Sequence, residues 1–245
     1  MDSLPKTIVF ATQKGGVGKS TCLTLLASYL FFVQRASVVV IDADSPQHSL
    51  QHLRNVEKSQ LGEDGDEEFQ RQFLKYARTP VYPILSAKMA EVFDRTDPEQ
   101  ASPYEKASHP SVGADYVLID TPGSLAVDGI VDLLRRVDKI VVPLEPEQMS
   151  LSSSSQFIAA VNAVVSPDER AGKLIAFWNK IRWRSHSDIV EGQNEYFRSK
   201  GVHVLDNYIP ESVKLKRSDT RSTVLPINFS NLDLQDFMTE LTEAL

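Results

Sequence analysis

The chain has 245 residues, 42% of them hydrophobic, a net charge of −7 and a single cysteine. That size and composition suit one α/β domain spanning residues 1–245, and a lone thiol excludes an internal disulfide and fits the reducing cytoplasm. The acidic balance argues against bulk attraction to DNA or anionic lipid, and no run approaches the roughly 18 apolar residues of a membrane span.

In chain order, the start "MDSLPKTIVFATQ" lacks the basic and apolar parts of a signal peptide. Short β-branched runs at 7–11, 37–42, 116–120, 139–144, 174–178 and 202–209 predict strands covered on both faces, as in a parallel sheet. Helical patterns at 20–34, 125–136, 150–165 and 186–200 alternate with them. A closing amphipathic helix is expected over 231–245, with Leu234, Phe237, Met238 and Leu241 on one stripe. This alternation predicts a doubly wound, mostly parallel α/β sheet. Residues 52–113 interrupt the rhythm. An acidic turn at 63–68, a helix at 69–77, a strand at 81–87 and a polar, proline-bearing loop at 94–113 read as an elaboration within the same domain.

The first strand leads into Gln13-Lys14-Gly15-Gly16-Val17-Gly18-Lys19-Ser20-Thr21, and a helix follows at once. Glycines let backbone N–H groups surround a phosphate, and the helix start adds partial positive charge. Lys19 suits the β- and γ-phosphates, the Ser20 hydroxyl suits Mg²⁺, and Thr21 can donate to the α-phosphate. The strict phosphate-loop pattern has glycine where this chain has Gln13, and Lys14 is one cation more than it requires. Two strand ends add carboxylates: "VVVIDADSPQ" (38–47) with Asp42 and Asp44, and "DYVLIDTPG" (115–123) with Asp120. The carboxyl ends of strands are where open α/β sheets bind ligands.

"QKGGVGKST" resembles the deviant Walker A motif of the ParA/MinD family of P-loop ATPases, within the SIMIBI type. The match is nearest to short ParA partitioning forms without an operator-binding domain. The resemblance implies a slow ATPase that uses ATP and Mg²⁺, forms an ATP-dependent homodimer, binds DNA without sequence preference and is reset by a ParB-like or other cargo adaptor. It implies that Lys14 reaches across the dimer to the partner's nucleotide, that Asp44 orients the attacking water, and that Asp42, Asp120 and Ser20 serve the metal. Gly123 would bring its N–H near the γ-phosphate. Ser45 departs from the family's D-x-D-P-Q spacing. Softer matches place "VVPLEPEQMSLSS" (141–153) near the dimer interface and Asn179, Ile209 and Pro210 beside adenine.

Charge is uneven along the chain. From Lys173 to Arg221 there are ten Lys/Arg against six Asp/Glu, a balance of +4 that leaves −11 elsewhere. Lys180, Arg182, Arg184, Lys214, Lys216, Arg217 and Arg221 are therefore the candidate DNA face, since phosphate contacts need only clustered cations. A solvated basic surface explains the same cluster. Two other functions compete. A MinD-like membrane cycle needs a basic amphipathic tail, and from Ser222 onward there is no Lys or Arg but Asp233, Asp236, Glu240 and Glu243. That tail predicts no membrane partner. A metabolic synthetase of the same superfamily needs a second substrate pocket, which 52–113 would have to supply.

Overall fold

In the computed structural model, which describes residues 4–78, 80–92, 113–166, 172–216 and 221–245, the apolar runs assemble one seven-stranded sheet. Its strands are β1 (Lys6–Phe10), β2 (Val38–Asp42), β3 (Ile84–Ser86), β4 (Tyr116–Asp120), β5 (Lys139–Leu144), β6 (Leu174–Trp178) and β7 (His203–Val204). They lie in the order β3-β2-β4-β1-β5-β6-β7, and every pairing is parallel. The helices are α1 (Lys19–Ser28), α2 (Ser49–Ser59), α3 (Glu67–Tyr76), α4 (Ile130–Arg136), α5 (Gln148–Val164), α6 (Trp183–Ser199), α7 (Val213–Lys216) and α8 (Gln235–Ala244).

Alternation within each strand builds two cores, one on each face of the sheet. Ile8, Phe10, Val40 and Leu118 point one way and meet Leu23, Leu26 and Leu30 of the first helical segment and Phe237, Met238 and Leu241 of α8. Val9, Ile41, Val117 and Ile119 point the other way and meet Leu133 of α4, Phe157 and Val161 of α5, and Phe197 of α6. The sheet is doubly wound, as its pattern predicts.

Several boundaries move. The helix expected over 20–34 begins one residue earlier and finishes as a π-helical turn, Tyr29–Val33. Helix α2 has no apolar signature in the sequence, because its buried face includes Arg54 and Glu57 beside Leu50. These charged groups do not register as an apolar stripe. The strand at 202–209 shortens to β7 at the sheet edge, although Leu205 N and Ile209 N still bond to the carbonyls of Ala176 and Trp178 at 2.9 and 2.8 Å. The run at 81–87 shortens to β3. The closing helix starts at Gln235, after Asp233 takes a left-handed conformation at φ 56°. The loop expected over 94–113 lies outside the described residues apart from Gly113.

Candidate nucleotide site

Parallel register brings the strand-end carboxylates together. Asp42 on β2 is the register partner of Asp120 on β4, and Asp120 is that of Phe10 on β1. The loop leaving β1 therefore rises directly beside both acids. Gly16 and Gly18 in this loop adopt φ of 78° and 93°, which L side chains rarely take. A Cβ on Gly18 would also stand 2.5 Å from Asn179 Nδ2. On the other side, a Cβ on Gly123 would stand 2.9 Å from Gly15 N and 3.1 Å from the Lys14 carbonyl carbon. Gly123 thus lets the turn after β4 touch the phosphate loop.

Lys19 and Ser20 open α1 next to the acids. Ser20 Oγ donates to Asp120 Oδ2 at 2.5 Å, while Asp120 Oδ1 is buried with no hydrogen-bond partner among the described residues. Asp42 is also fully buried. Its Oδ2 accepts from Leu50 N and Gln51 N, at 2.9 and 3.0 Å, at the start of α2, while its Oδ1, 3.8 Å from His48 Nδ1, has no hydrogen-bond partner among the described residues. Burial raises the Asp120 carboxyl to about 7, against the opposing effects of the Ser20 hydrogen bond and Lys19. Burial also holds the Lys19 ammonium below the usual lysine range, with Asp120 and Asp44 pulling it back. Asp44 is half-buried; desolvation raises its carboxyl, opposed first by Lys19.

Among the described residues, no group of three or more His, Cys, Asp or Glu is arranged to enclose a metal ion. Mg²⁺ does not need such a cage, since it is commonly held by one or two carboxylates, waters and substrate phosphates. A serine hydroxyl and two carboxylate oxygens without hydrogen-bond partners among the described residues form a hard-oxygen set that fits it.

Lys14 turns away from this cluster. Its Nζ donates to Ser150 Oγ and lies 3.6 Å from Glu145 Oε2 and 3.5 Å from Glu147 Oε2, at the β5–α5 junction. Ser150 Oγ in turn donates to Glu145 Oε2 at 3.0 Å. These acidic and hydroxyl partners went unassigned in the sequence, where "LEPEQMS" offered the only signal.

The softer matches converge. A cavity of about 290 Å³ beside the phosphate loop is lined by Gly18, Thr21, Asn179, Ile209, Pro210 and Arg221. Asn179 Nδ2 donates to Val17 O at 2.8 Å, which ties the end of β6 to the loop.

The cations expected to form a DNA face are divided. Lys180 Nζ donates to Gly16 O at 2.8 Å and pairs with Glu145 Oε1 at 2.5 Å. Arg221 Nη1 donates to Thr21 Oγ1 at 3.0 Å. Both therefore lie on the phosphate-loop side, although Lys180 keeps 43% of its side chain exposed. Arg182 pairs with Glu211, Arg184 is exposed on α6, and Lys214 is exposed with its Nζ donating to Asn231 O at 2.9 Å. Lys216 ends α7, and Arg217 lies outside the described residues.

Residues 8–225 match the CobQ/CobB/MinD/ParA nucleotide binding domain. The chromosome-partitioning ATPase Soj of Treponema pallidum is 29% identical over 240 residues, covering 91% of this chain and 89% of Soj. Among solved structures, a protein from Borrelia burgdorferi B31 bound to AMPPNP superposes with a TM-score of 0.58 at 18% identity, covering 99% of this chain and 97% of that one. The structure of pNOB8 ParA bound to nonspecific DNA superposes with a TM-score of 0.60 at 18% identity, covering 98% and 97%. At such identity these two likenesses establish the fold. The family match, extending over most of the chain and the whole of its phosphate loop, places this protein among the ParA/MinD-type P-loop ATPases.

Proposed function

We propose that this protein is a ParA-like partitioning ATPase: an MgATP-dependent sandwich dimer that binds DNA non-specifically and is reset by a partner that stimulates hydrolysis. Its cargo would be a plasmid, conjugative element, chromosome or other large assembly. The observation that carries this reading is the pair of lysines. Lys19 sits buried among the strand-end acids, whereas Lys14 stands at the rim against Glu145, Glu147 and Ser150. A lysine held at the rim is available to a second protomer once the acidic contacts are exchanged for phosphate.

In this reading the amides of Gly15, Gly16, Val17 and Gly18, with Lys19, hold the β- and γ-phosphates. Ser20, Asp42 and Asp120 hold Mg²⁺, which when bound neutralises charge on the phosphates. Asp44 orients the attacking water; desolvation raises its carboxyl, opposed first by Lys19, which makes it a stronger base than a fully solvated aspartate. Lys14 supplies positive charge in trans to the transferring phosphoryl group. Asn179, Ile209 and Pro210 border the cavity that would take the adenine. The Soj relationship and the DNA-bound pNOB8 ParA support the partitioning role. The apolar face of α8 is already spent on the core, through Phe237, Met238 and Leu241, which disfavours a membrane cycle.

The DNA half of the proposal is tested with Lys214, Lys216 and Arg217 replaced together by glutamate. DNA retention in MgATP should be lost and ATP affinity kept, and wild-type retention should fall steeply with salt. Retention by the triple variant equal to wild type would place the DNA face elsewhere.

A further inference from the structure

Arg221 has no role in the site as built from the sequence, yet its guanidinium reaches the second residue after Lys19. Its Nη1 donates to Thr21 Oγ1 at 3.0 Å, and the side chain lines the same cavity as Asn179, Ile209 and Pro210. Arg221 Nε is buried with no hydrogen-bond partner among the described residues. An enclosed N–H without an acceptor is costly, more so on a charged group. Lys180, the other cation at this cavity, is paired with Glu145, whereas among the described residues the partner of Arg221 is a neutral hydroxyl.

The segment after Arg221 is firmly held. Glu57 Oε2 accepts from Thr223 N at 2.9 Å, and Arg54 donates to Thr223 Oγ1 and Thr223 O, each at 2.8 Å. Arg54 and Glu57 are both buried, at 3% and 7% exposure, and both lie on α2. The same helix begins with the two amides that bind Asp42. One rigid element thus braces both an acid on the metal side and the backbone beside Arg221, a supporting shell of the kind that pre-organises a binding group.

We propose that Arg221 is a nucleotide-binding residue that contacts the α-phosphate of a purine nucleoside di- or triphosphate in its own protomer, together with Thr21. This rests on the reading of the cleft as a nucleotide site. A threonine hydroxyl that accepts from a guanidinium keeps its own hydrogen to donate. Thr21 and Arg221 therefore present an O–H and a charged N–H side by side, the donor set an anionic phosphate oxygen takes. Because the α-phosphate is common to ADP and ATP, Arg221 acts on both alike, unlike groups that meet the γ-phosphate.

The test is calorimetric titration of Mg-ADP and Mg-ATPγS into wild type, Arg221→Ala, Arg221→Gln and Arg221→Lys, with apo melting curves to confirm folding. If Arg221→Ala does not fold, Arg221→Gln, which keeps most of the side chain's bulk, carries the comparison. Loss of one charge-assisted contact should weaken both nucleotides by the same factor, about ten- to hundredfold, and Arg221→Lys should recover part of it. Wild-type affinity in the alanine variant overturns the assignment, as does a loss confined to ATPγS. Loss of DNA retention with intact nucleotide binding also overturns it and returns Arg221 to the DNA face. If wild type binds neither nucleotide, the nucleotide reading itself fails and takes this assignment with it.

Discussion

Replacing Asp120 with asparagine removes a carboxyl that burial raises to about 7, from an ordinary value of 3.8. For an acid whose folded pKa is raised, stability is intact below the unfolded value, where both states are protonated. It falls as pH climbs from about 4 to about 7, because the unfolded chain ionises while the folded one holds its proton; above that the loss is complete. Three pKa units correspond to about 4 kcal/mol. This is an upper figure, since water entering an open cleft raises the effective dielectric. Between pH 5 and pH 8 the share still to be lost is about 2–3 kcal/mol. Asparagine carries no charge, and its amide oxygen can still accept from Ser20 Oγ. The Asp120→Asn protein should therefore gain on wild type as pH rises, by roughly 5–10 °C in melting temperature for a chain of this size. The assay is thermal unfolding followed by circular dichroism at pH 5 and pH 8, in chelator and without nucleotide. A melting difference that stays constant across this range, or that shifts against asparagine at pH 8, refutes the reasoning. The same variant should bind Mg-nucleotide poorly, so the charge that destabilises the apo fold is the one the proposed metal site needs.

Lys14→Ala should still bind ATP within a few-fold of wild type, because Lys19 and the loop amides remain, yet sediment as a monomer at saturating MgATP; a stable, hydrolysing dimer would refute the role in trans. Gly18→Ala combines a φ of 93° with a Cβ 2.5 Å from Asn179 Nδ2. It should lower stability by about 1–3 kcal/mol in denaturant unfolding, and unchanged stability would mean that this turn relaxes freely.

The phosphate loop was legible because its chemistry is local: nine consecutive residues, running from the turn after a strand into the first residues of a helix, set the backbone cradle, and no distant partner is needed to recognise them. Asp42 and Asp120 were legible for a related reason. Each ends an apolar run, and parallel strands entering one sheet bring such ends to a common edge. The residues around Lys14 and Arg221 were not. Lys14 meets Glu145, Glu147 and Ser150 more than 130 residues away, and Arg221 meets Thr21 across 200. A charge count along the chain registers a cation without its neighbours, so it could not place Lys180 and Arg221 beside the phosphate loop. Helix α2 stayed hidden for the complementary reason. Its buried face holds Arg54 and Glu57, whose burial becomes tolerable only when Thr223 and the Tyr82 carbonyl arrive to satisfy them. Periodicity along one segment carries the hydrophobic preference of that segment alone. Which oxygen each buried charge finds is decided when the crossovers close and distant loops meet.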